Sequence, residues 1–196
     1  METTGGRFIF FEAARPYPGI TADIPLTDYN RTIMNPKEQV VTWLRSAHAT
    51  EKSVEQNLQQ HAKAADGYPE LQQRLQTHLE ETRRHLQQVE QCLDSLGEKP
   101  AAGKEAMSSL VGNMKAMGEK VFQDELVKNA LSDYATEHFE IACYRSLAAG
   151  AEHAGLPKVA RVAEQILKDE EAMAHWLEQR IPSLTNRFLD EQRKSA

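Results

Sequence analysis

The chain has 196 residues and a formal charge of −6, from 23 Lys and Arg against 29 Asp and Glu with His neutral, a balance that argues against a general nucleic-acid binder. The length suits one domain that buries a core without disulfide or zinc staples, and Cys92 and Cys143 stand too far apart for a Cys-x-x-Cys site and read as reduced, packed thiols. The longest wholly apolar run, Phe8 to Phe11, is far below the roughly 20 residues of a membrane-spanning helix, and no secretory signal pattern follows it. The expectation is therefore a cytoplasmic protein with neither membrane nor nucleic acid among its partners.

Proline and glycine divide the chain. Residues 1–33, with Pro16, Pro18, Gly19 and Pro25, read as an N-terminal extension, either poorly ordered or the product of an upstream start. Asn35-Pro36-Lys37-Glu38 is a helix start, with Asn as N-cap, Pro at the first position and Glu closing a capping box. That first helix runs to the break at Asp66-Gly67-Tyr68-Pro69, and a second runs from Pro69 to the close at Gly97 and Pro100. A less regular stretch from Lys104 to Lys120, containing Gly112 and Gly118, reads as a crossover with a short helix. The third helix is expected over about 124–150. The fourth opens after Gly155-Leu156-Pro157 and ends near Arg180, with Pro182-Ser183 starting a short terminal helix. No strand signal appears after Met34. The bundle is thus placed at 34–182 and the terminal helix or tail at 183–196.

Apolar residues repeat at three- and four-residue steps in all four segments. The stripes are Val40, Leu44, Ala47, Val54 and Leu58; Leu71, Leu75, Leu79, Leu86, Val89 and Leu93; Ala130, Tyr134, Ile141, Tyr144 and Ala148; and Val159, Ala163, Ile166, Met173 and Leu177. Helices of this length, with one long connection in the middle, predict an all-α, ferritin-like four-helix bundle.

The functional signal lies in what breaks these stripes. Stepping along the first helix puts Glu51 between Ala47 and Val54, and the fourth puts Glu170 between Ile166 and Met173. Glu137 lies on the third seam, with Glu140 along the same edge, and the second helix offers Glu81 with His78 three residues before it and His85 four after. Glu51, Glu81, Glu137 and Glu170 lie near the midpoints of their helices, so they share one layer. Carboxylates converging in a low-dielectric layer require compensation, and two divalent cations would supply it. The usual pattern has Glu-x-x-His on two helices; here Arg84 and Met173 occupy the His positions, leaving His78 or His138 as the imidazole. Each Glu taken singly reads more readily as a boundary residue or a buried pair with Arg or Lys than as a metal ligand.

Ala49-Thr50-Glu51-Lys52, His78-Leu79-Glu80-Glu81-Thr82, Glu137-His138-Phe139-Glu140-Ile141 with Tyr144, and Glu170-Glu171-Ala172 together resemble the YciE/YciF family of ferritin-like bacterial stress proteins, over roughly Met34 to Arg180. The resemblance implies a homodimeric ferritin-like bundle with a di-metal site, linked to bacterial stress. The expectation is two iron or manganese ions held by Glu51, Glu81, Glu137 or Glu140, and Glu170, with His78 as ligand or orienter and redox chemistry toward peroxide, oxygen or ferrous iron. The rival expectation is a non-catalytic dimeric scaffold whose carboxylates are structural.

Overall fold

A computed structural model of the protein describes residues 35–101 and 125–195; the N-terminal extension and the segment expected to form a crossover with a short helix lie outside these residues. Four helices account for nearly all of them: α1 (Pro36–Ala64), α2 (Pro69–Ser95), α3 (Glu125–His153) and α4 (Pro157–Ser195). No helix among the described residues is long and apolar enough to cross a membrane.

The start of α1 is built as its sequence predicts. The Asn35 side chain accepts from the Lys37 amide at 3.0 Å, and Glu38 reaches back to the Asn35 amide at 3.3 Å, satisfying amide groups that the first turn leaves without helical partners. Between α3 and α4, Gly155 takes φ +70°, a conformation that lets the Leu156 amide reach back to the Ala151 carbonyl at 2.8 Å; only glycine adopts it at little cost.

Two apolar clusters define the helix directions. One joins Val40 and Leu44 at the start of α1, Val89 and Leu93 at the end of α2, Leu147 and Ala151 late in α3, and Val159 and Ala163 early in α4. The other joins Leu58 of α1, Leu71 and Leu75 of α2, Ala130 of α3, and Met173 and Leu177 of α4. Thus α1 and α4 run one way and α2 and α3 the other. The chain leaves α2 at the first cluster and enters α3 at the second, so the two helices that flank the connection are parallel, as the long-crossover topology expected from the sequence requires. Helices α1 and α2 pair, α3 and α4 pair, α1 packs on α3 and α2 on α4.

Two expectations need correction. The segment after Pro182 is helical but not separate: α4 continues unbroken through Pro182 to Ser195. Leu184 is buried in the second cluster, and the Arg187 guanidinium lies 4.0 Å over the Tyr68 ring while bonding the Gly67 carbonyl at 2.8 Å. These contacts hold the helix in register across the proline, which costs one backbone hydrogen bond. The buried seam of α2 also differs from the leucine stripe. Leu79 and Leu86 are half-buried, whereas His78, Thr82 and His85 are almost completely covered.

Candidate metal centre

Between the two apolar clusters lies a polar layer: Glu51 from α1, His78, Thr82 and His85 from α2, Glu137 and Glu140 from α3, and Glu170 from α4, each about 1 % exposed or less. On α2, steps of four and three from Leu71 through Leu75 land on 78, 82, 85 and 89, and this period keeps one side facing the bundle axis. On the other helices the same spacing directs Glu51, Glu137 with Glu140, and Glu170 inward.

The side-chain atoms that could ligate a metal form two groups that share Glu170: Glu51, His85 and Glu170 in one, His78, Glu137 and Glu170 in the other. Glu170 Oε1 lies 3.0 Å from His85 Nδ1, and Glu170 Oε2 lies 3.4 Å from His78 Nε2. Glu51 Oε1 approaches His85 Nδ1 at 3.5 Å, and Glu137 Oε2 approaches His78 Nε2 at 3.2 Å.

Each imidazole is held from behind by a carboxylate. His78 Nδ1 bonds Glu81 Oε2 at 2.8 Å, and Arg74 donates to the same oxygen at 3.0 Å. His85 Nε2 bonds Asp169 Oδ2 at 3.1 Å. In both cases the second ring nitrogen faces the layer, the arrangement that fixes the orientation of metal-binding histidines. The Tyr144 hydroxyl donates to Glu51 Oε1.

The electrostatics follow from burial and proximity. Burial pushes the Glu51 carboxyl up and the Glu140 carboxyl well up, and the neighbouring carboxylates add to both. Glu170 is raised to about 7, first by burial, despite the opposing His85. Burial alone would lower the histidines, but Glu137 holds His78 well above its ordinary value, and Glu170 with Glu51 carries His85 to about 10. Glu81 goes the other way: burial opposes ionisation, yet His78 and Arg74 bring it to about 2. Burial and the Glu51 carboxylate keep the Tyr144 phenol protonated.

Within this layer Glu51 Oε2, His78 Nε2, Thr82 Oγ1, His85 Nδ1, Glu137 Oε2 and both oxygens of Glu140 and Glu170 are buried without a hydrogen bond. A buried unsatisfied polar atom costs about 1–3 kcal/mol, so such a concentration points to a partner of positive charge. Four carboxylates balance two divalent cations, and oxygen-rich donors with imidazole suit iron or manganese. The residues fit a di-metal centre.

Of the residues expected from the sequence, Glu51, His78, Glu137 and Glu170 converge. Glu140 is buried beside them but belongs to neither three-residue group. Glu81 is not brought into the layer; it is half-buried behind His78. His138 is exposed, its ring edge-on to Tyr134 with centroids 4.5 Å apart. His61 bonds the buried Asp133 at 2.7 Å. His85 was missing from the expected ligands, although the step from Leu75 to 78, 82, 85 and Val89 contained it.

Comparison with known proteins gives the family and the fold. Residues 35–190 match a family described as a domain of unknown function, DUF892. Protein YciF of Escherichia coli (strain K12) is 29 % identical over 133 residues, spanning 66 % of this chain and 80 % of that protein. A solved structure of a Xanthomonas campestris pv. campestris protein superposes with a TM-score of 0.70 at 32 % identity, over 82 % of this chain and 99 % of the other. A mycobacterial bacterioferritin shares the fold at 22 % identity, with a TM-score of 0.63 over 76 % of this chain and 86 % of its own. The chain belongs to the YciE/YciF family, the family of DUF892 domains, and its fold is the ferritin-like four-helix bundle.

Proposed function

We propose that this protein is a cytoplasmic, homodimeric di-metal carboxylate protein of the bacterial stress response, binding two iron or manganese ions and reducing peroxide or oxidising ferrous iron. The observation that carries the reading is the set of buried atoms without hydrogen bonds on Glu51, His78, His85, Glu137, Glu140 and Glu170. The stress role rests on similarity to YciF, a stress protein of E. coli.

Glu51 and His85 would hold one ion, His78 and Glu137 the other, with Glu170 between them and Glu140 supplying the fourth carboxylate. When bound, the ions supply one-electron redox chemistry toward peroxide or oxygen. The protein's own residues set the conditions. Glu81 and Asp169 orient the two imidazoles, and Tyr144 holds Glu51 at one oxygen, leaving the other directed to the layer. Because His85 and Glu170 hold protons near neutrality in the metal-free layer, loading releases protons.

The test is elemental analysis after anaerobic loading with ferrous or manganous ion. About two ions per chain are expected, with loss of stoichiometric binding in the double variant Glu51→Gln, Glu170→Gln. Unchanged metal content in that variant would overturn the assignment. The contacts of His78 with Glu137 and His85 with Glu170 favour a second reading, a non-catalytic dimeric scaffold whose layer is neutralised by its own histidines. It requires no metal uptake under any loading condition.

A further inference from the structure

Threonines on these helices satisfy their hydroxyls locally. Thr42, Thr50, Thr77, Thr136 and Thr185 each donate to the carbonyl four residues earlier, at 2.9–3.1 Å, the bond by which a threonine inside a helix uses its own backbone. Thr82 is the exception among the described residues. It is 1 % exposed, and its Oγ1 bonds neither the His78 carbonyl one turn back nor any carboxylate of the layer. A buried hydroxyl without a partner destabilises the fold, and the remedy nearest to hand, rotation toward its own backbone, is not taken. Thr82 lies four residues after His78 and three before His85, so it stands on α2 between the two imidazoles. Glu170 spans the same interval from α4, with Oε1 toward His85 Nδ1 at 3.0 Å and Oε2 toward His78 Nε2 at 3.4 Å. The hydroxyl is therefore at the level of the carboxylate that both candidate ligand groups share.

The geometry points to Thr82 as the residue that binds and orients hydrogen peroxide in the layer, through a hydrogen bond from its hydroxyl between His78 and His85. A hydroxyl both donates and accepts, as does each end of peroxide. It brings no charge to a layer in which four carboxylates balance two divalent ions, and as a metal ligand it adds little beside carboxylate and imidazole. What the layer lacks without it is a neutral donor for a small oxygen molecule, since Tyr144 is engaged with Glu51 and the histidines face the carboxylates. Every side chain of the layer is about 1 % exposed or less, which suits an oxidant of few atoms. Thr82 acts where the ions would sit, so this role rests on the di-metal reading.

The test compares full-length wild type with Thr82→Val, which keeps the shape and removes the hydroxyl, and with Thr82→Ser, which keeps the hydroxyl. Three quantities are measured: the Tm of the chelator-treated proteins, their iron content after anaerobic ferrous loading, and, once oxidised, the Kd of azide, an inert peroxide-sized probe, from its absorption band. The concentration of hydrogen peroxide that half-saturates single-turnover oxidation of the ferrous-loaded proteins is measured alongside. Metal-free Thr82→Val should melt no lower than wild type, because the hydroxyl has no partner in the protein. Iron content should be the same in all three, at about two ions per chain. Thr82→Val should weaken azide, and raise the half-saturating peroxide concentration, at least about tenfold, and Thr82→Ser should come within about threefold of wild type. A lower Tm in metal-free Thr82→Val would show that the hydroxyl is bonded within the fold and overturn the role. Equal azide affinity in Thr82→Val, or no rescue by Thr82→Ser, would overturn it with the di-metal reading intact, and loss of an ion from Thr82→Val would make the hydroxyl a metal ligand and overturn it likewise. No metal uptake by wild type would overturn the di-metal reading and the Thr82 role together.

Discussion

Glu170 is the one side chain common to both ligand groups, with Oε1 toward His85 and Oε2 toward His78, and this asymmetry among the carboxylates has a measurable consequence. An ion present at a hundred times its Kd stabilises the folded state by about 2.7 kcal/mol, so two independent ions contribute about 5 kcal/mol. For a chain of this length each kcal/mol moves Tm by about 2–4 °C, giving a rise of roughly 10–20 °C on loading. Glu170→Gln should abolish nearly all of that rise. Glu51→Gln and His85→Asn, which touch one group, should keep about half of it and bind about one ion per chain. Scanning calorimetry of chelated and anaerobically loaded protein, with elemental analysis of the same samples, measures both quantities. Equal residual shifts in Glu51→Gln and Glu170→Gln, or a full shift in Glu170→Gln, would refute the shared-carboxylate geometry.

Other consequences are open to direct measurement. In the metal-free protein His85 is raised to about 10 and Glu170 to about 7, so the folded state binds more protons than the unfolded one. The favourable His85 contribution is complete below about pH 6.5 and lost as pH rises toward 10, while the Glu170 penalty grows from about pH 4.5 to 7. Denaturant titrations should show stability falling by about 5 kcal/mol from pH 6 to 10, most of it from His85, and a metal-free protein that gains stability over that window would contradict these environments. Glu81→Gln and Asp169→Asn each remove a carboxylate that orients one imidazole, and each should weaken one metal position by about 10–100-fold while leaving the other unchanged. Isothermal titration resolves the two, and wild-type affinity at both positions would show that these carboxylates do not orient ligands. Pro182→Ala, at an exposed position inside α4, restores a helical amide and should stabilise the protein by about 1–3 kcal/mol, measured by denaturation; a loss of stability would mean that the proline itself shapes the helix.

The bundle was legible because its signals are local. Asn35-Pro36 and Glu38 carry the capping chemistry of α1 in four residues, and the breaks at Gly67 and Gly155 coincide with the turns observed there. Glu51 and Glu170 were legible for a related reason, since each replaces an apolar residue in an otherwise regular stripe. On α2 the leucines at 79 and 86 drew the stripe one position off the axis, where the true seam is polar through His78, Thr82 and His85. Hydrophobicity locates a buried face only where that face is hydrophobic, and a buried polar layer violates that condition. The division of labour between Glu81 and His78 was beyond sequence reasoning, because three residues on a helix permit either side chain to face inward; packing against Glu137 and Glu170 decided for the imidazole. Likewise Pro182 reads locally as a helix start, and only the contacts of Leu184 with the core and of Arg187 with Tyr68 and Gly67 keep α4 continuous. Local chemistry determined where helices begin and which carboxylates are out of place, while long-range packing decided which atoms meet, because the energy that turns a side chain inward comes from neighbours distant in the chain.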